Sequence, residues 1–348
     1  MTSTPLRLAV IGAGVMGRSH IERIRASAEC VLAAVCDPDP ALAGQAARDE
    51  CPRYGDLSGL LRRERLDGAI IATPNAEHRG CGMLCAEAGV PMLVEKPVAA
   101  TTADGTALVE AAARRGVPLL VGQHRRHSAY VRRAREVIER GELGRLVSFT
   151  ALWFVRKPDD YYAVGWRTRP GGGPVLTNLI HEIDLIRHLG GEIESVYAAS
   201  SSAARGLAVE DSVAITLRLA GGALGSIAAS DAVVSPWSYE LTTHENPLYT
   251  RTDRNCYFLL GTSGSLAFPR LTLWRHPGET GWQHPLSGTP LPVDAVDPVA
   301  AQLAHFCEVI RGRAEPLVSG PDGLATLAAT EAVLQSARED RPIRPASR

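Results

Sequence analysis

Residues 6–17 read Leu-Arg-Leu-Ala-Val-Ile-Gly-Ala-Gly-Val-Met-Gly, an apolar run joined to a glycine pattern. The run Leu8–Ile11 is apolar at every position, which predicts a strand covered on both faces. Gly12, Gly14 and Gly17 follow it with G-x-G-x-x-G spacing and open a segment of helical periodicity. The first glycine permits a tight turn, the second lets a ligand approach the backbone, and the third lets the helix pack on the strand. The segment therefore predicts the first strand and helix of a doubly wound sheet.

Similar apolar runs recur through the first third of the chain, each followed by a segment of helical periodicity. They are Val31–Cys36, Ala69–Ala72, Met92–Glu95 and Leu119–Gly122. Apolar runs that alternate with helices are typical of a parallel sheet with helices on both faces. The helical segment Ala107–Arg115 is followed by Gly116 and then Pro118, which provide a stop signal. We therefore predict an α/β Rossmann domain, with a doubly wound parallel sheet, over residues 1–124.

After Gly141 the pattern changes to closely spaced strands with glycine-rich turns. The predicted strands are Val147–Val155, Val213–Leu219, Leu224–Ala229, Tyr239–Thr243 and Tyr257–Leu260. The pattern also predicts helices over Ser128–Arg140, Thr177–Leu189, Val299–Arg311 and Gly323–Arg338. Turns such as Gly221-Gly222 indicate antiparallel hairpins. We predict that residues 125–348 form an α+β domain with a large, predominantly antiparallel sheet, and that its last helices can pack back on the first domain.

The composition is that of an ordinary globular protein, with 348 residues of which 45% are hydrophobic. The formal charge of −1 provides no field that favours a polyanion, so no nucleic-acid partner is expected. Apolar runs are too short for a membrane span, and the N-terminus lacks the pattern of a signal peptide. The seven cysteines form no CxxC pair, which favours reduced thiols in a cytoplasmic protein.

A carboxylate stands where a dinucleotide site needs one. Asp37 ends the second apolar run, 23 positions after Gly14. At about this spacing an acidic residue commonly bonds the adenosine ribose, and it repels the 2′-phosphate of NADP. The alternative is that Asp37 only forms a turn and a helix cap. Together with the glycine turn, whose helix opens at Val15 and Met16, Asp37 favours NAD over NADP.

A lysine stands at the end of another predicted strand, in Glu95-Lys96-Pro97. Doubly wound sheets bind their ligands at this carboxyl edge. A lysine whose pKa is lowered by burial or by a neighbouring charge can donate a proton or stabilise an alkoxide. The alternative is a solvated lysine at a strand end.

A glycine triplet, Gly171–Gly173, leads into a predicted helix with titratable side chains on one face. Helical spacing places Thr177, His181, Asp184 and His188 on that face. Histidine side chains ordinarily titrate near neutrality, so a histidine at position 181 can exchange the proton that accompanies hydride transfer at a carbinol carbon. Two alternatives are a metal site built from His181, Asp184 and His188, and a histidine that only packs between helices.

Taken together, these motifs resemble the Gfo/Idh/MocA oxidoreductase family, named after glucose-fructose oxidoreductase, inositol 2-dehydrogenase and the rhizopine-catabolism protein. Thr73-Pro74-Asn75-x-x-His78 and Trp166-Arg167 add to the resemblance, which runs in order over almost the whole chain. The resemblance implies a substrate pocket between an N-terminal Rossmann domain and a C-terminal sheet domain. It also implies hydride transfer between NAD or NADP and a hydroxyl or carbonyl of a sugar, inositol or related polyol, in a homodimer or homotetramer built through the open sheet face.

The resemblance also implies roles for individual residues. Lys96 and His181 match the catalytic lysine and histidine of the family. The matching cofactor-lining residues, besides the glycine turn and Asp37, are Thr73, Pro74, Asn75, His78, Glu95, Lys96, Gln123, Arg125, Trp166 and Arg167. The expected substrate-binding residues are Tyr161, Trp166, Arg167, Thr177, Asn178 and Asp184. No metal is expected.

The chain departs from the family pattern at Thr177, which is followed by Asn178 where many members have an aspartate four residues before the histidine. A threonine can bond a substrate hydroxyl, but it cannot stabilise an imidazolium by charge. The proton acceptor therefore stays open between His181 and Lys96.

The predicted function is that of an NAD-dependent dehydrogenase for a small polyhydroxylated substrate. The alternatives are a reductase of a keto-sugar or cyclic ketone, a reaction that recycles tightly held NAD, and a non-catalytic NAD sensor. The presence of both Lys96 and His181 favours an enzyme, because a sensor has no chemical need for them.

Overall fold

The computed structural model describes residues 4–48 and 50–346. These residues form two compact units, residues 4–127 with 297–327 and residues 128–296 with 328–346. No helix in the described ranges is both long enough and apolar enough to cross a membrane.

The first unit contains a six-stranded parallel sheet. Its strands are β1 (Leu6–Ile11), β2 (Cys30–Cys36), β3 (Arg53–Tyr54), β4 (Gly68–Ile71), β5 (Met92–Glu95) and β6 (Leu119–Gly122), in the order β3-β2-β1-β4-β5-β6. Every neighbouring pair is parallel. The predicted doubly wound sheet is confirmed. The strand order reverses between β1 and β4, the point at which such sheets bind ligands.

Helices connect these strands, and their ends follow from local sequence. They are α1 (Val15–Ala26), α2 (Pro40–Ala47), α3 (Leu57–Arg63), α4 (His78–Glu87) and α5 (Thr102–Arg115). Asp39, Asp56 and Thr101 accept hydrogen bonds from the first free backbone N–H groups of α2, α3 and α5. Gly116 ends α5 in the left-handed conformation that the sequence predicts.

The second unit contains an eight-stranded sheet. Its strands are β7 (Leu146–Phe154), β8 (Ile193–Ser201), β9 (Ser212–Leu219), β10 (Leu224–Ser230), β11 (Tyr257–Gly261), β12 (Ser265–Phe268), β13 (Thr272–Arg275) and β14 (Ser287–Pro290). They lie in the order β14-β13-β12-β11-β7-β10-β9-β8, and all neighbours are antiparallel except β7 and β10. The predicted, predominantly antiparallel sheet is confirmed. One of its faces carries Phe149, Ala151 and Trp153 into the core.

The helices of this unit are α6 (Ala129–Glu139), α7 (Ile180–Gly190) and α8 (Tyr239–Thr243). The predicted strand at Tyr239–Thr243 is wrong, because this segment is helical. The Ser238 hydroxyl accepts a hydrogen bond from Leu241 N at 3.3 Å, and the Thr242 hydroxyl donates to Ser238 O at 2.8 Å. These local side-chain bonds to the backbone override the strand propensity of an aromatic and β-branched segment.

The predicted helix Thr177–Leu189 is only partly α-helical. A π-helical turn occupies Val175–Leu179, in which Ile180 N–H bonds Val175 O, and α7 follows it. The α-helical spacing therefore relates His181, Asp184 and His188, whereas Thr177 lies before the helix on a wider turn. The prediction that Thr177 shares one helical face with His181, Asp184 and His188 is therefore wrong.

The chain closes with α9 (Pro298–Ile310) and α10 (Gly320–Glu339). α9 packs Leu303, Phe306 and Cys307 into the core of the parallel-sheet unit. Asp297 caps α9 with bonds from Val299 N and Ala300 N.

Candidate active site

The glycine turn after β1 is shaped by close backbone contacts. Gly12 has φ +91°, and a Cβ there would lie 2.6 Å from Ala72 O on the neighbouring strand connection. A Cβ on Gly17 would lie 1.8 Å from Gly12 O, so only glycine lets α1 fold back on the turn. Gly14 has nothing within 4 Å of the same position. The turn is therefore crowded from within at Gly12 and Gly17, and open to a ligand at Gly14.

Asp37 holds this turn from the end of β2. Its Oδ2 accepts from Ala13 N at 2.7 Å, and its Oδ1 accepts from Asp39 N at 2.9 Å. The carboxylate thus forms the turn considered as an alternative, while Asp39 and not Asp37 caps α2. Two carboxylate oxygens provide about four acceptor positions, so two remain for the hydroxyls of a ribose.

The loop after β4 is tied to the loop after β5 by a buried histidine. The two ring nitrogens of His78 lie 2.8 Å from Pro97 O and 2.9 Å from Thr73 O. Burial lowers the pKa of His78, although both backbone oxygens favour the charged form. Pro74 and Asn75 in the same loop are exposed. His78 therefore braces the loops, and the neighbouring residues are the ones that a ligand can reach.

Lys96 follows β5, with the carboxylate of Glu95 buried behind it. Glu95 Oε1 lies 2.7 Å from His20 Nε2, and Oε2 accepts from Lys96 N at 3.2 Å. Burial alone would raise the pKa of Glu95, but the hydrogen bond and charge of His20, with the charges of His124 and Lys96, lower it overall. Sequence reasoning missed His20, because its only signal is its place on the buried side of α1.

Gln123 and Arg125 follow β6 at the same edge of the sheet and are 1% and 3% exposed. Between them, His124 stands close to charged groups. Loss of water and the Arg125 guanidinium lower the pKa of His124 to about 4, while Glu95 opposes the shift. His124 is therefore neutral in the folded protein at pH 7.

We expect acid to destabilise the protein through His124. Below about pH 6.5 the unfolded chain protonates this histidine, whereas the folded protein does so only near pH 4. The free energy of unfolding should therefore fall as the pH decreases from about 6.5 to about 4, and His124→Asn should flatten that fall. Urea unfolding at several pH values measures the slope. The control is exposed His244→Asn, since asparagine tolerates its φ of +57°, and an equal flattening in both variants would contradict the assignment.

In the second unit, the glycine triplet fits the backbone closely before the π-helical turn. A Cβ on Gly172 would lie 2.4 Å from Trp166 O, and one on Gly173 would lie 2.3 Å from the Glu210 carboxylate. Glu210 Oε1 also accepts from Val175 N at 3.0 Å. Packing therefore restricts positions 172 and 173 to glycine, whereas Gly171 has open space but a φ of +92°. Glu210, which the sequence analysis missed, fixes the start of the turn.

Thr177 and Asn178 contact each other within the π-helical turn. The Thr177 hydroxyl lies 2.9 Å from Gly173 O and 2.9 Å from Asn178 Oδ1. Lys157 Nζ donates to the same Asn178 oxygen at 2.8 Å. Lys157 is 8% exposed, and it was missed because its sequence context, Arg-Lys-Pro-Asp, indicates only a surface turn.

Lys157 belongs to a buried ionic cluster. Its Nζ lies 3.4 Å from Asp231 Oδ2, and Arg205 Nε donates to Asp231 Oδ1 at 3.0 Å. The Tyr162 hydroxyl donates to Asp231 as well. Burial lowers the pKa of Lys157, and the Asp231 carboxylate opposes that shift. Arg205 and Tyr162 also line an open surface pocket of about 290 Å³ with Arg156, Asp159, Ala204 and Leu207.

An aromatic and cationic stack lies beside this cluster. The Arg167 guanidinium lies 3.9 Å from the centre of the Tyr161 ring and donates to Tyr161 O at 2.8 Å. Trp166 is 53% exposed, with its ring centre 5.6 Å from the same guanidinium. The predicted residues Tyr161, Trp166 and Arg167 therefore lie together, with the indole open to a ligand.

His181 and Asp184 lie near the start of α7 and are 7% and 1% exposed. No group of three or more His, Cys, Asp or Glu side chains with metal-binding geometry occurs in residues 4–48 and 50–346. All seven cysteines, which lie in the described ranges, are free thiols.

The residues of the first unit fit a bound NAD. The open position at Gly14 gives a pyrophosphate room to reach the backbone, and no side chain caps the N-terminus of α1. Asp37 keeps acceptor positions for the ribose. Val15 is 73% exposed and Met16 37% exposed at the same helix end.

Two family models match the chain. The model described as an oxidoreductase family with an NAD-binding Rossmann fold matches residues 6–123. The model of the GFO/IDH/MocA C-terminal domain matches residues 131–267.

Individual proteins are similar over much of the chain. D-apiose dehydrogenase of Paraburkholderia graminis is 30% identical over a 347-residue alignment that covers 96% of this chain and 88% of that protein. Levoglucosan dehydrogenase of Pseudarthrobacter phenanthrenivorans is 28% identical over a 266-residue alignment that covers 65% of this chain and 67% of that protein. The structure of the WlbA dehydrogenase from Bordetella pertussis, in complex with NADH and UDP-GlcNAcA, is 26% identical with a TM-score of 0.80, and the match covers 99% of this chain and 100% of that chain.

The two models match in order, one on each side of residues 124–130, and the first relative is similar over nearly the whole chain. The resemblance seen in the sequence motifs is confirmed, and the chain belongs to the Gfo/Idh/MocA family of NAD-binding oxidoreductases.

Proposed function

We propose that this oxidoreductase transfers hydride between NAD and a secondary alcohol of a sugar, inositol or related polyol. The observation that carries the proposal is the position of Lys96. Lys96 follows β5 at the carboxyl edge of the sheet. Gly12, after β1, and Asp37, after β2, lie at the same edge. A lysine at that edge stands beside the dinucleotide site. The names of the relatives, which are dehydrogenases of apiose and levoglucosan, support a sugar-like substrate.

The proposed cofactor site comprises the glycine turn with Val15 and Met16, Asp37, and the loops after β4, β5 and β6. The proposed loop residues are Thr73, Pro74, Asn75, His78, Glu95, Lys96, Gln123 and Arg125. Bound NAD supplies the hydride acceptor. Trp166 and Arg167 are proposed to serve both cofactor and substrate, with Tyr161, Thr177, Asn178 and Asp184 on the substrate. We propose that residues 1–124 form the cofactor domain and residues 125–348 the substrate domain, apart from α9, which packs in the core of the parallel-sheet unit.

His181 is the proposed acceptor of the hydroxyl proton, and Lys96 stabilises negative charge on the oxygen that loses it. The reverse assignment, with Lys96 as the base, uses the same two residues. Many family members have an aspartate four residues before the histidine, and this chain has Thr177 there. Because a threonine is uncharged, it cannot stabilise an imidazolium at His181 by charge. Glu95, fixed by His20, holds the Lys96 backbone in place.

The experiment that tests the proposal is NADH formation by purified protein with inositols, aldoses, anhydrosugars and other cyclic polyols. Turnover that disappears in Lys96→Ala and His181→Ala supports a polyol dehydrogenase. Tight NAD binding with no turnover of any substrate in either direction would favour an NAD sensor or a reaction that recycles its cofactor.

The charge of Asp37 should set the choice of cofactor. Asp37→Asn keeps the side-chain shape and an oxygen for Ala13 N, although its NH2 group cannot accept from Asp39 N. It removes the repulsion of a 2′-phosphate. We expect the ratio of kcat/KM with NADP to kcat/KM with NAD to rise roughly tenfold or more, which equals about 1.4 kcal/mol. Asp39→Asn is the matched control, because it removes an equal charge two residues away. Equal ratios in the wild type and in Asp37→Asn would refute the assignment.

A nucleotide-linked keto-sugar reductase is a second candidate. It is favoured by the 26% identity to a dehydrogenase solved with NADH and UDP-GlcNAcA. NADH oxidation with nucleotide-linked keto-sugars separates it from the first proposal.

We also propose a homodimer or homotetramer that works in the cytoplasm. Tyr197, Phe258 and Trp274 are 36–40% exposed on the outer face of the eight-stranded sheet, which supports self-association through that face. The free thiols support a reducing compartment. Light scattering of the purified protein measures the oligomeric state.

A further inference from the structure

Lys157 is a buried cation that the proposed reaction does not use. Its Nζ donates to Asn178 Oδ1 at 2.8 Å and lies 3.4 Å from Asp231 Oδ2. The rings of Tyr161 and Trp153 cover it, with their centres at 4.7 and 5.7 Å from Nζ. Two polar contacts and two aromatic faces therefore fix the ammonium in one place.

The ammonium also fixes the orientation of Asn178. A protonated lysine has donors only, so the Asn178 atom that faces it must be the carbonyl oxygen. The Thr177 hydroxyl lies 2.9 Å from the same oxygen. The carboxamide nitrogen Nδ2 is consequently directed to the opposite side, and no hydrogen-bond partner for it occurs within residues 4–48 and 50–346.

Lys157 is not required merely to balance Asp231. The Asp231 carboxylate is 1% exposed and has two other hydrogen-bond donors besides Lys157. They are Arg205 Nε, at 3.0 Å, and the Tyr162 hydroxyl. The contact with Asn178 is therefore the specific contribution of Lys157 to the start of the His181 helix.

We propose that Lys157 is a positioning residue for substrate binding. It holds the Asn178 carboxamide with both N–H groups presented to an acceptor oxygen, a hydroxyl or a carbonyl, of the polyol. The single proton of the Thr177 hydroxyl is used inside the turn, so Thr177 can only accept from the substrate and the donor is supplied by residue 178. The inference rests on the proposed polyol dehydrogenase activity and adds a residue that determines substrate affinity.

The test compares Lys157→Met, Asn178→Ala and the double variant. An N–H donor to a substrate oxygen that does not react binds the ground state and the transition state equally, so its loss raises KM and spares kcat. We expect each single variant to raise the KM for the polyol about tenfold, with kcat and the Kd for NADH changed less than about threefold. Because Lys157 acts through Asn178, the double variant should have the same KM as Asn178→Ala.

Controls separate positioning from folding. Arg156→Met removes the neighbouring cation, which is half exposed and bonds Ala232 O, and should leave KM unchanged. If Lys157→Met does not fold, Asn178→Asp provides the test. It keeps an oxygen for Lys157 but replaces the two N–H donors with a second acceptor, so the expected KM again rises about tenfold.

The outcomes distinguish this inference from the proposed function. Absence of turnover by the wild type with every polyol overturns both. Wild-type turnover overturns the inference alone if KM is unchanged in Lys157→Met or in Asn178→Asp. It is also overturned if Lys157→Met raises KM further in the Asn178→Ala background, because the lysine would then act independently of Asn178.

Discussion

Lys96→Ala should lower kcat for polyol oxidation by about 10²–10⁴, the range typical of a lost general acid or base. The fold should survive, because Lys96 is only partly buried while Glu95 and His20 form the buried contact behind it. Steady-state NADH formation measures the rate, and the thermal unfolding temperature confirms the folded state.

Lys96→Arg makes that prediction more specific. Arginine keeps the positive charge, but it does not release its proton at any working pH. A base at position 96 would thus be lost in both variants, whereas an electrostatic role would leave Lys96→Arg well above Lys96→Ala. If Lys96→Ala turns over at the wild-type rate, the reaction scheme is wrong.

Gly17→Ala should destabilise the first unit by about 3 kcal/mol, near the upper end for overpacking. The added Cβ would stand 1.8 Å from Gly12 O and 2.9 Å from Gly12 C, so β1 and α1 would have to separate. Urea unfolding measures the loss, and NADH titration should show that binding weakens with it.

Gly14→Ala is the matched control for that substitution. Nothing lies within 4 Å of its Cβ, and its φ of −66° suits alanine. We expect an unchanged free energy of unfolding but a Kd for NADH at least about tenfold higher, since the methyl group occupies the space proposed for the pyrophosphate. Equal NADH affinity in Gly14→Ala and the wild type would show that the pyrophosphate does not bind at this turn.

The sequence was most informative where burial decides structure. β1, β4, β5 and β6 were predicted because strands covered on both faces are apolar throughout. Tyr239–Thr243 was assigned wrongly, since the bonds from Ser238 and Thr242 that make it helical depend on side-chain geometry and not on periodicity.

Part of the candidate site could also be predicted from the sequence, because it depends on where the predicted strands end. Gly12, Asp37 and Lys96 each follow a predicted strand, so topology alone brings them to one edge. The contacts of His20 with Glu95 and of Lys157 with Asn178 join residues 75 and 21 positions apart. No local pattern encodes such pairs, because the fold supplies the proximity.

The parallel pairing of β7 with β10 has a consequence for how the second unit assembles. Three residues discussed above lie in the connection between these two strands: Lys157, Asn178 and His181. β7 can pair only after residues 224–230 and 257–261 have been synthesised, because these form its two neighbouring strands. Strands so distant in sequence lose much chain entropy before their contacts stabilise the sheet, and this slows folding. During synthesis, these three residues would therefore leave the ribosome before β10 and β11, the two strands that flank β7 in the sheet.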